Sequence, residues 1–236
     1  WDKQKEIIDS IINDNRDVCA IMFTGAGKSL CYQFPAVYKK KVVIVVSPLI
    51  SLMNDQNIKL SQSNIKATCL NGTIMDKKKI KRKILKNKFR LVYTTPEFII
   101  KEEIFLKELN NSGNLLMIAI DESHCVSTWG HDFRASYRGL CNIRTWVPDI
   151  PLMALTATAT DTVQKDIINT LNLNDPLLIK TTFDRPNLNI KVIPKSNEIK
   201  DLYNLVKDNK VSIIYCQKRK ETEKICDILL KKGINI

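Results

Sequence analysis

Short unbroken apolar runs recur along the chain at intervals too long for hairpins. Val18-Cys19-Ala20-Ile21, Val42–Val46, Leu115–Ile120 and Pro151–Leu155 each predict a strand, and Arg90–Thr94 reads the same way. Runs without polar alternation are what a parallel sheet buried on both faces requires. Lys66–Leu70 is a further strand candidate, with Asn71-Gly72 as the turn after it. Between these runs the spacing becomes helical. Ile7, Ile8, Ile11 and Ile12 mark a helix near residues 3–12, Ser51–Gln56 continues as another, and Pro96 sits early in a third. Residues 136–146 read as a helix, and Asp161 is the expected cap of one running to about Leu173. Strands alternating with helices predict an α/β fold, a parallel sheet flanked by helices on both faces.

The rhythm is interrupted at Phe183-Asp184-Arg185-Pro186-Asn187, where Pro186 forces extended backbone. A second series then opens, with strands at Leu188–Ile193 and Val211–Cys216 and helices over 197–208 and to about Lys232. Two strands cannot build an independent core. The expectation is therefore one complete domain over 1–183 and the start of a second, cut short, over 184–236. The chain does not begin with methionine, which is expected of a portion of something longer. No signal peptide opens it, and no apolar run approaches a membrane span, so an intracellular protein with no membrane partner is expected. The 7 cysteines fall singly, without C-x-x-C spacing. Reduced thiols and no zinc in this segment are the expectation. A formal charge of +12 favours a polyanionic partner, although the same balance serves solubility.

The chemistry is concentrated at two strand ends. The first apolar run leads into Met22-Phe23-Thr24-Gly25-Ala26-Gly27-Lys28-Ser29 and then into a helical stretch. Strand, glycine-bearing loop and helix start are the context of a phosphate-binding loop. Backbone N–H groups from Thr24 through Gly25, Ala26 and Gly27 would turn around the phosphates of ATP, with the helix N-terminus adding positive charge. Lys28 would reach the β- and γ-phosphates and the Ser29 hydroxyl would ligate Mg²⁺. Met22 stands where the full pattern has its first glycine. About ninety residues on, Leu115–Ile120 ends in Asp121-Glu122-Ser123-His124. Asp121 would hold Mg²⁺ and Glu122 would orient or deprotonate the attacking water. A lone Asp-Glu after a strand is often only a solvated turn; paired with the loop, it predicts an ATPase.

Five strings together resemble successive motifs of RecQ-type helicases: Gly25–Gln33, Ser47–Gln56, Trp129–Arg134, Met153–Ala159 and Phe183–Asn187. The resemblance spans the whole chain in order. It implies a superfamily 2 motor of two RecA-like domains, using ATP to move 3′ to 5′ on single-stranded DNA in repair or recombination, with partly duplex DNA as a further partner. It implies that Gln4 reads the adenine edge, where the residues alone suggest an exposed helix-start glutamine. Ser47, Thr94 and Thr95 would touch DNA phosphates, where the alternative is ordinary loop hydroxyls. Thr156 and Thr158 would couple hydrolysis to movement, or merely form a small-residue turn.

Trp129, His131, Phe133 and Arg134 would sense single-stranded DNA and signal to Glu122 and His124. The competing reading is a hydrophobic cluster under a loop. Aromatic faces stack on bases whatever their sequence, and an arginine can pair with phosphate. Phe23 and Ser123 depart from the family, which favours proline and alanine there. The arginine finger is expected from the second domain, beyond Ile236. The basic run from Lys77 to Lys88 invites a nucleic-acid contact, but a solvated helix face explains it as well. A DExH-type RNA helicase and a non-motor binding remnant are the alternatives to a DNA helicase.

Overall fold

The computed structural model describes the chain except residues 1, 131, 183, 185–186, 195–197, 209–210 and 236. It divides into two units, Trp1–Asp184 and Arg185–Ile236. The first holds seven strands: β1 (Val18–Ile21), β2 (Val42–Val46), β3 (Ala67–Cys69), β4 (Leu91–Thr94), β5 (Leu115–Ile120), β6 (Leu152–Thr156) and β7 (Leu177–Lys180). They form one sheet in the order β3-β4-β2-β5-β6-β1-β7, and every pairing is parallel. All carboxyl ends therefore lie along one edge of the sheet, where open α/β folds place their ligands.

The unbroken apolar runs are explained by two cores. Val42, Ile44, Val46, Ile118 and Ile120 face one side, while Val43, Val45, Met117 and Ala119 face the other, as the period of two demands. The second side is covered by α1 (Asp2–Asn13), α2 (Lys28–Tyr38) and α3 (Ile50–Gln62), through Ile7, Ile11, Tyr32 and Met53. The first side carries α4 (Lys77–Leu85), α5 (Pro96–Ile99), α6 (Glu103–Asn111), α7 (Ala135–Arg138), α8 (Asn142–Trp146) and α9 (Asp161–Thr170).

Three local expectations change. The helix expected over 136–146 is broken into α7 and α8 by a tight turn at Gly139–Cys141, glycine being a poor helix former. Thr160, not Asp161, caps α9: its hydroxyl accepts from the Val163 N–H at 3.3 Å. Asp161 instead occupies the first turn, where an acid suits the helix dipole, and pairs with Lys180. The terminal strand β7 was not evident from the sequence, because its outward residues are half exposed and its run is short.

The second unit contains α10 (Glu198–Val206) and α11 (Arg219–Lys231), packed through Val206, Ile225 and Leu229. The expected strands 188–193 and 211–216 do not form among its described residues. A strand needs a neighbour to bond, and here Val192 and Tyr215 stand more than nine-tenths exposed.

Candidate active site at the carboxyl edge of the sheet

The loop after β1 is built from its backbone. Gly25 and Gly27 have φ of +87° and +77°, the left-handed region that favours glycine. A Cβ at Gly27 would come within 2.5 Å of the Gln4 amide nitrogen, so a side chain there would strain the backbone and displace Gln4 from the loop. Gln4 donates to the Ala26 carbonyl at 2.8 Å and so ties α1 to the loop. Met22 is buried in the core beneath the loop, which explains how a large residue is accommodated at the first-glycine position. Its N–H donates to Thr156 O at 2.9 Å, and its carbonyl accepts from Lys28 Nζ at 3.1 Å. The Phe23 N–H donates to Thr181 Oγ1 at 3.4 Å, a bond that proline could not make. Thr24 and Gly25 form the exposed crest of the loop.

β5 lies two places from β1, with β6 between. Its end carries Asp121, whose N–H donates to Val46 O on β2 at 2.9 Å. Burial and the neighbouring Glu122 carboxylate push the Asp121 carboxyl up to about 6, against a smaller opposing pull from Lys28. Glu122 adopts φ +50° and ψ +42°, unusual for a non-glycine residue, so the turn is held by its surroundings. The Tyr137 hydroxyl, fully buried, donates to the Asp121 carbonyl at 2.9 Å. His124 Nδ1 lies 2.8 Å from Thr156 Oγ1 and 3.4 Å from Glu122 Oε2. Thr156 Oγ1 also accepts from the Thr158 N–H at 3.2 Å. The ends of β5 and β6 are thus joined through one histidine. Tyr32 adds a connection that the motif does not announce. One turn after Ser29, its side chain is buried near Ser29 and Tyr93, and that burial pushes its hydroxyl well above the usual tyrosine value. Its i, i+3 spacing from Ser29 was the available signal.

The segment after the acidic turn folds back on it. Arg134 N–H donates to Cys125 O at 2.9 Å, and a Cβ on Gly130 would sit 2.6 Å from the His124 carbonyl. Trp129 is 74% exposed and Phe133 43%, which contradicts a hydrophobic cluster under the loop. Arg134 pairs with Asp132 at 2.9 Å, and Arg138 lies over the Phe133 ring. His131 falls outside the described residues. Ser47, Thr94 and Thr95 end β2 and β4 on the same edge, all buried, and the hydroxyls of Ser47 and Thr94 make no hydrogen bond. One metal-ligand grouping occurs among the described residues: His124, Cys125 and Asp132 offer ligand atoms within 4.8 Å of one another. The Cys125 thiol, pushed up to about 12 by burial, donates to Asp132 Oδ2 at 3.7 Å. No described helix is long and apolar enough to cross a membrane.

Residues 1–166 match the DEAD/DEAH box helicase family. The chain belongs to that family. Within it the chain resembles RecQ helicases. It is 39% identical to the ATP-dependent DNA helicase RecQ of Haemophilus influenzae, over 98% of this chain and 38% of that protein. It is 44% identical to the mouse bifunctional 3′-5′ exonuclease/ATP-dependent helicase WRN, over 94% of this chain and 16% of that one. A putative ATP-dependent RNA helicase of Acanthamoeba polyphaga mimivirus, R290, is 43% identical over 96% of this chain and 42% of its own. The chain thus spans less than half the length of these relatives. Among solved structures, the DUF1998 helicase MrfA superposes with a TM-score of 0.73 at 20% identity, covering 99% of this chain and 39% of its own. The Pyrococcus furiosus Hef helicase domain gives 0.55 at 15%, covering 98% of this chain and 52% of its own. Both have the fold found here, the parallel sheet of RecA-like helicase domains.

Proposed function

We propose that this chain is the nucleotide-binding part of a DNA helicase that couples ATP hydrolysis to 3′-to-5′ movement along single-stranded DNA, in repair or recombination. On this reading residues 1–183 are the first of two RecA-like domains and 184–236 begin the second. One observation carries it. An exposed aromatic loop is bonded, backbone to backbone, to the turn that bears Glu122, on the edge that also bears the phosphate loop.

The roles follow from position. N–H groups of residues 24–29 surround the phosphates of ATP, Lys28 exchanges the Met22 carbonyl for phosphate oxygen, and Gln4 faces the adenine. A hydroxyl and a carboxylate, Ser29 and Asp121, make the hard oxygen donor set that suits Mg²⁺. The raised Asp121 carboxyl, crowded by Glu122, fits a cation there. When bound, Mg²⁺ neutralises charge developing on the transferred phosphoryl group. Glu122 takes the proton of the attacking water, and His124 links it to Thr156 and Thr158. Ser47, Thr94 and Thr95 approach the DNA backbone, Trp129 and Phe133 stack on bases, Arg134 completes that surface, and His131, outside the described residues, shares the sensing role by the family resemblance alone. MrfA has been solved bound to DNA and AMPPNP, a precedent for nucleotide and DNA on this fold.

The test compares ATP turnover of the full-length protein that carries this chain, alone, with single-stranded DNA and with single-stranded RNA. DNA should stimulate turnover, and joint Trp129→Ala and Phe133→Ala should remove the stimulation while basal turnover and Tm hold. Each lost stack is worth about 1–3 kcal/mol. Stimulation by RNA alone would replace this reading with that of an RNA helicase, the activity named for the mimivirus relative. Strand displacement from a 3′ but not a 5′ overhang checks the direction.

A further inference from the structure

The lysine-rich helix α4 has no task in the site above. Its apolar side is ordinary: Ile84 is fully buried and Ile80 and Leu85 pack beside it. Lys81 lies on that side too, paired with Glu102 and set against the rings of Phe98 and Phe105. The opposite side is uniformly cationic. Lys78, Lys79, Arg82, Lys83, Lys86 and Lys88 are exposed. None has an ion-pair partner among the described residues. The nearest acid in sequence, Asp76, is engaged in capping the helix through the Lys79 N–H.

This arrangement works against the helix. Lys77, Lys78 and Lys79 fill the first turn, the positive end of the helix dipole, which prefers acids. Lys78 faces Arg82 and Lys79 faces Lys83 at the four-residue spacing where like charges repel. Other helices of the chain place opposite charges in such pairs, Glu103 with Lys107 and Arg219 with Glu223. A face kept only for solubility would follow that pattern.

Topology says where the charge points. The helix leaves the carboxyl end of β3 and returns to β4, parallel to it. Its lysine-rich start therefore lies on the same sheet edge as Ser47, Thr94 and Thr95, beyond β4. No aromatic ring is exposed on it; the neighbouring Phe98 and Phe105 are packed inward. Surfaces that hold single strands interleave rings for base stacking, whereas cations alone suit phosphate. A duplex carries roughly one charge per 1.7 Å of axis, about twice the density of one strand.

We propose that the exposed face of α4 is a docking surface for the phosphate backbone of double-stranded DNA, a contact additional to the single-strand path. This deepens the helicase reading and rests on it for its biological sense, although its binding test does not need ATP. Binding of a short blunt-ended duplex is measured across salt concentrations for the intact chain and for Lys78→Glu, Lys79→Glu, Arg82→Glu and Lys83→Glu combined. A parallel set with glutamine at the same positions separates loss of attraction from added repulsion.

Both sets should weaken duplex binding, on the order of tenfold or more for the glutamate set, and reduce the salt slope by about 0.9 per contact removed. Single-strand affinity and basal ATP turnover should change little, and Tm should hold or rise as repulsion is relieved. Unchanged duplex affinity and slope would overturn the proposal. So would equal losses on single and double strands, or a loss confined to phosphatidylserine vesicles used as an anionic control. If DNA fails to stimulate ATP turnover in the full-length protein yet the duplex contact responds as expected, the helicase reading fails and the α4 surface stands.

Discussion

The two edges of the same sheet are built on opposite principles. At the amino edge the buried charges are matched, although the Ser10 hydroxyl nearby is buried without a partner. Asp17 is 4% exposed, and its carboxylate accepts from Leu152 N at 2.8 Å, from Asn174 N at 2.6 Å and from Arg144. Arg144 in turn donates to the carbonyls of Asn172, Pro148 and Ile150. One buried acid and one arginine thus tie β1, β6 and the approach to β7 together. At the carboxyl edge the balance is poor. Ser47, Thr94 and Ser123 hydroxyls are buried without partners, and Asp121 carries a carboxyl that burial resists ionising; the left-handed backbone of Glu122, by contrast, recurs at Asn15 and Lys40 in the turns before β1 and β2. Satisfied networks rigidify a fold, while unsatisfied groups gather where ligands complete the structure. The difference separates residues kept for stability from residues kept for chemistry.

A crossed pair of substitutions tests that separation most severely. In the full-length protein, Lys28→Ala should cut ATP turnover on the order of 10²–10³-fold, the scale for losing a positioned charge in the transition state. Tm should scarcely move, because Lys28 bonds only to its own loop. Asp17→Ala should do the reverse. It strands Arg144 and two backbone donors, at about 3–5 kcal/mol of stability, with turnover per folded molecule retained. Chemical denaturation and ATPase assays on both variants give four values. Equal stability losses would erase the distinction between the edges.

The sequence disclosed these two edges unequally, for a physical reason. The phosphate loop and acidic turn are local: a strand, a few residues and a helix start carry their meaning, and Lys28, Ser29, Asp121 and Glu122 were named from them. The unbroken runs likewise announced β1, β2, β4, β5 and β6. The Asp17 clasp is invisible locally, since its partners Arg144, Leu152 and Asn174 lie more than a hundred residues away. Tyr137 escaped notice because its place is set by one bond to Asp121 O, from a helix whose break at Gly139 the periodicity did not show. Trp129 could be core or surface on pattern alone; only its exposure decided. Val192 and Tyr215 read as strand residues because propensity reports what a segment can do, not whether a neighbour is present.

A smaller effect sharpens the contrast through pH. The Asp121 carboxyl is raised in the folded chain from 3.8 to about 6. The folded state therefore holds this proton more tightly than the unfolded one. The contribution is fully present below pH of about 4 and is lost as pH rises through about 6. Without nucleotide or Mg²⁺, Asp121→Asn should be more stable than the parent at pH 7, by an amount on the order of 1–3 kcal/mol. The advantage should vanish at pH 4. Adding Mg²⁺ and a non-hydrolysable ATP analogue should stabilise the parent more than the variant. Parallel stability curves for the two proteins between pH 4 and 7 would show that this carboxyl is not resisted by its surroundings.

The smallest expected effect asks whether every oddity on the carboxyl edge is functional. Ser123 follows Glu122 directly, is fully buried, and its hydroxyl has no hydrogen-bond partner. A buried unpaired hydroxyl costs about 1–3 kcal/mol relative to a satisfied one, and alanine removes it while losing a single small atom. If the hydroxyl serves nothing, Ser123→Ala should raise stability by about 1 kcal/mol, for a Tm gain of about 2–4 °C, with ATP turnover and DNA stimulation unaltered. If instead it completes its bonding when nucleotide and Mg²⁺ are bound, the variant should gain stability in the empty state and lose part of the stabilisation that the ATP analogue confers. Calorimetry with and without the analogue separates these outcomes. A gain equal in both states makes Ser123 a tolerated defect, and the tension of the carboxyl edge then resides in Asp121 and Glu122. A gain confined to the empty state adds Ser123 to the groups that this edge holds ready for its ligand.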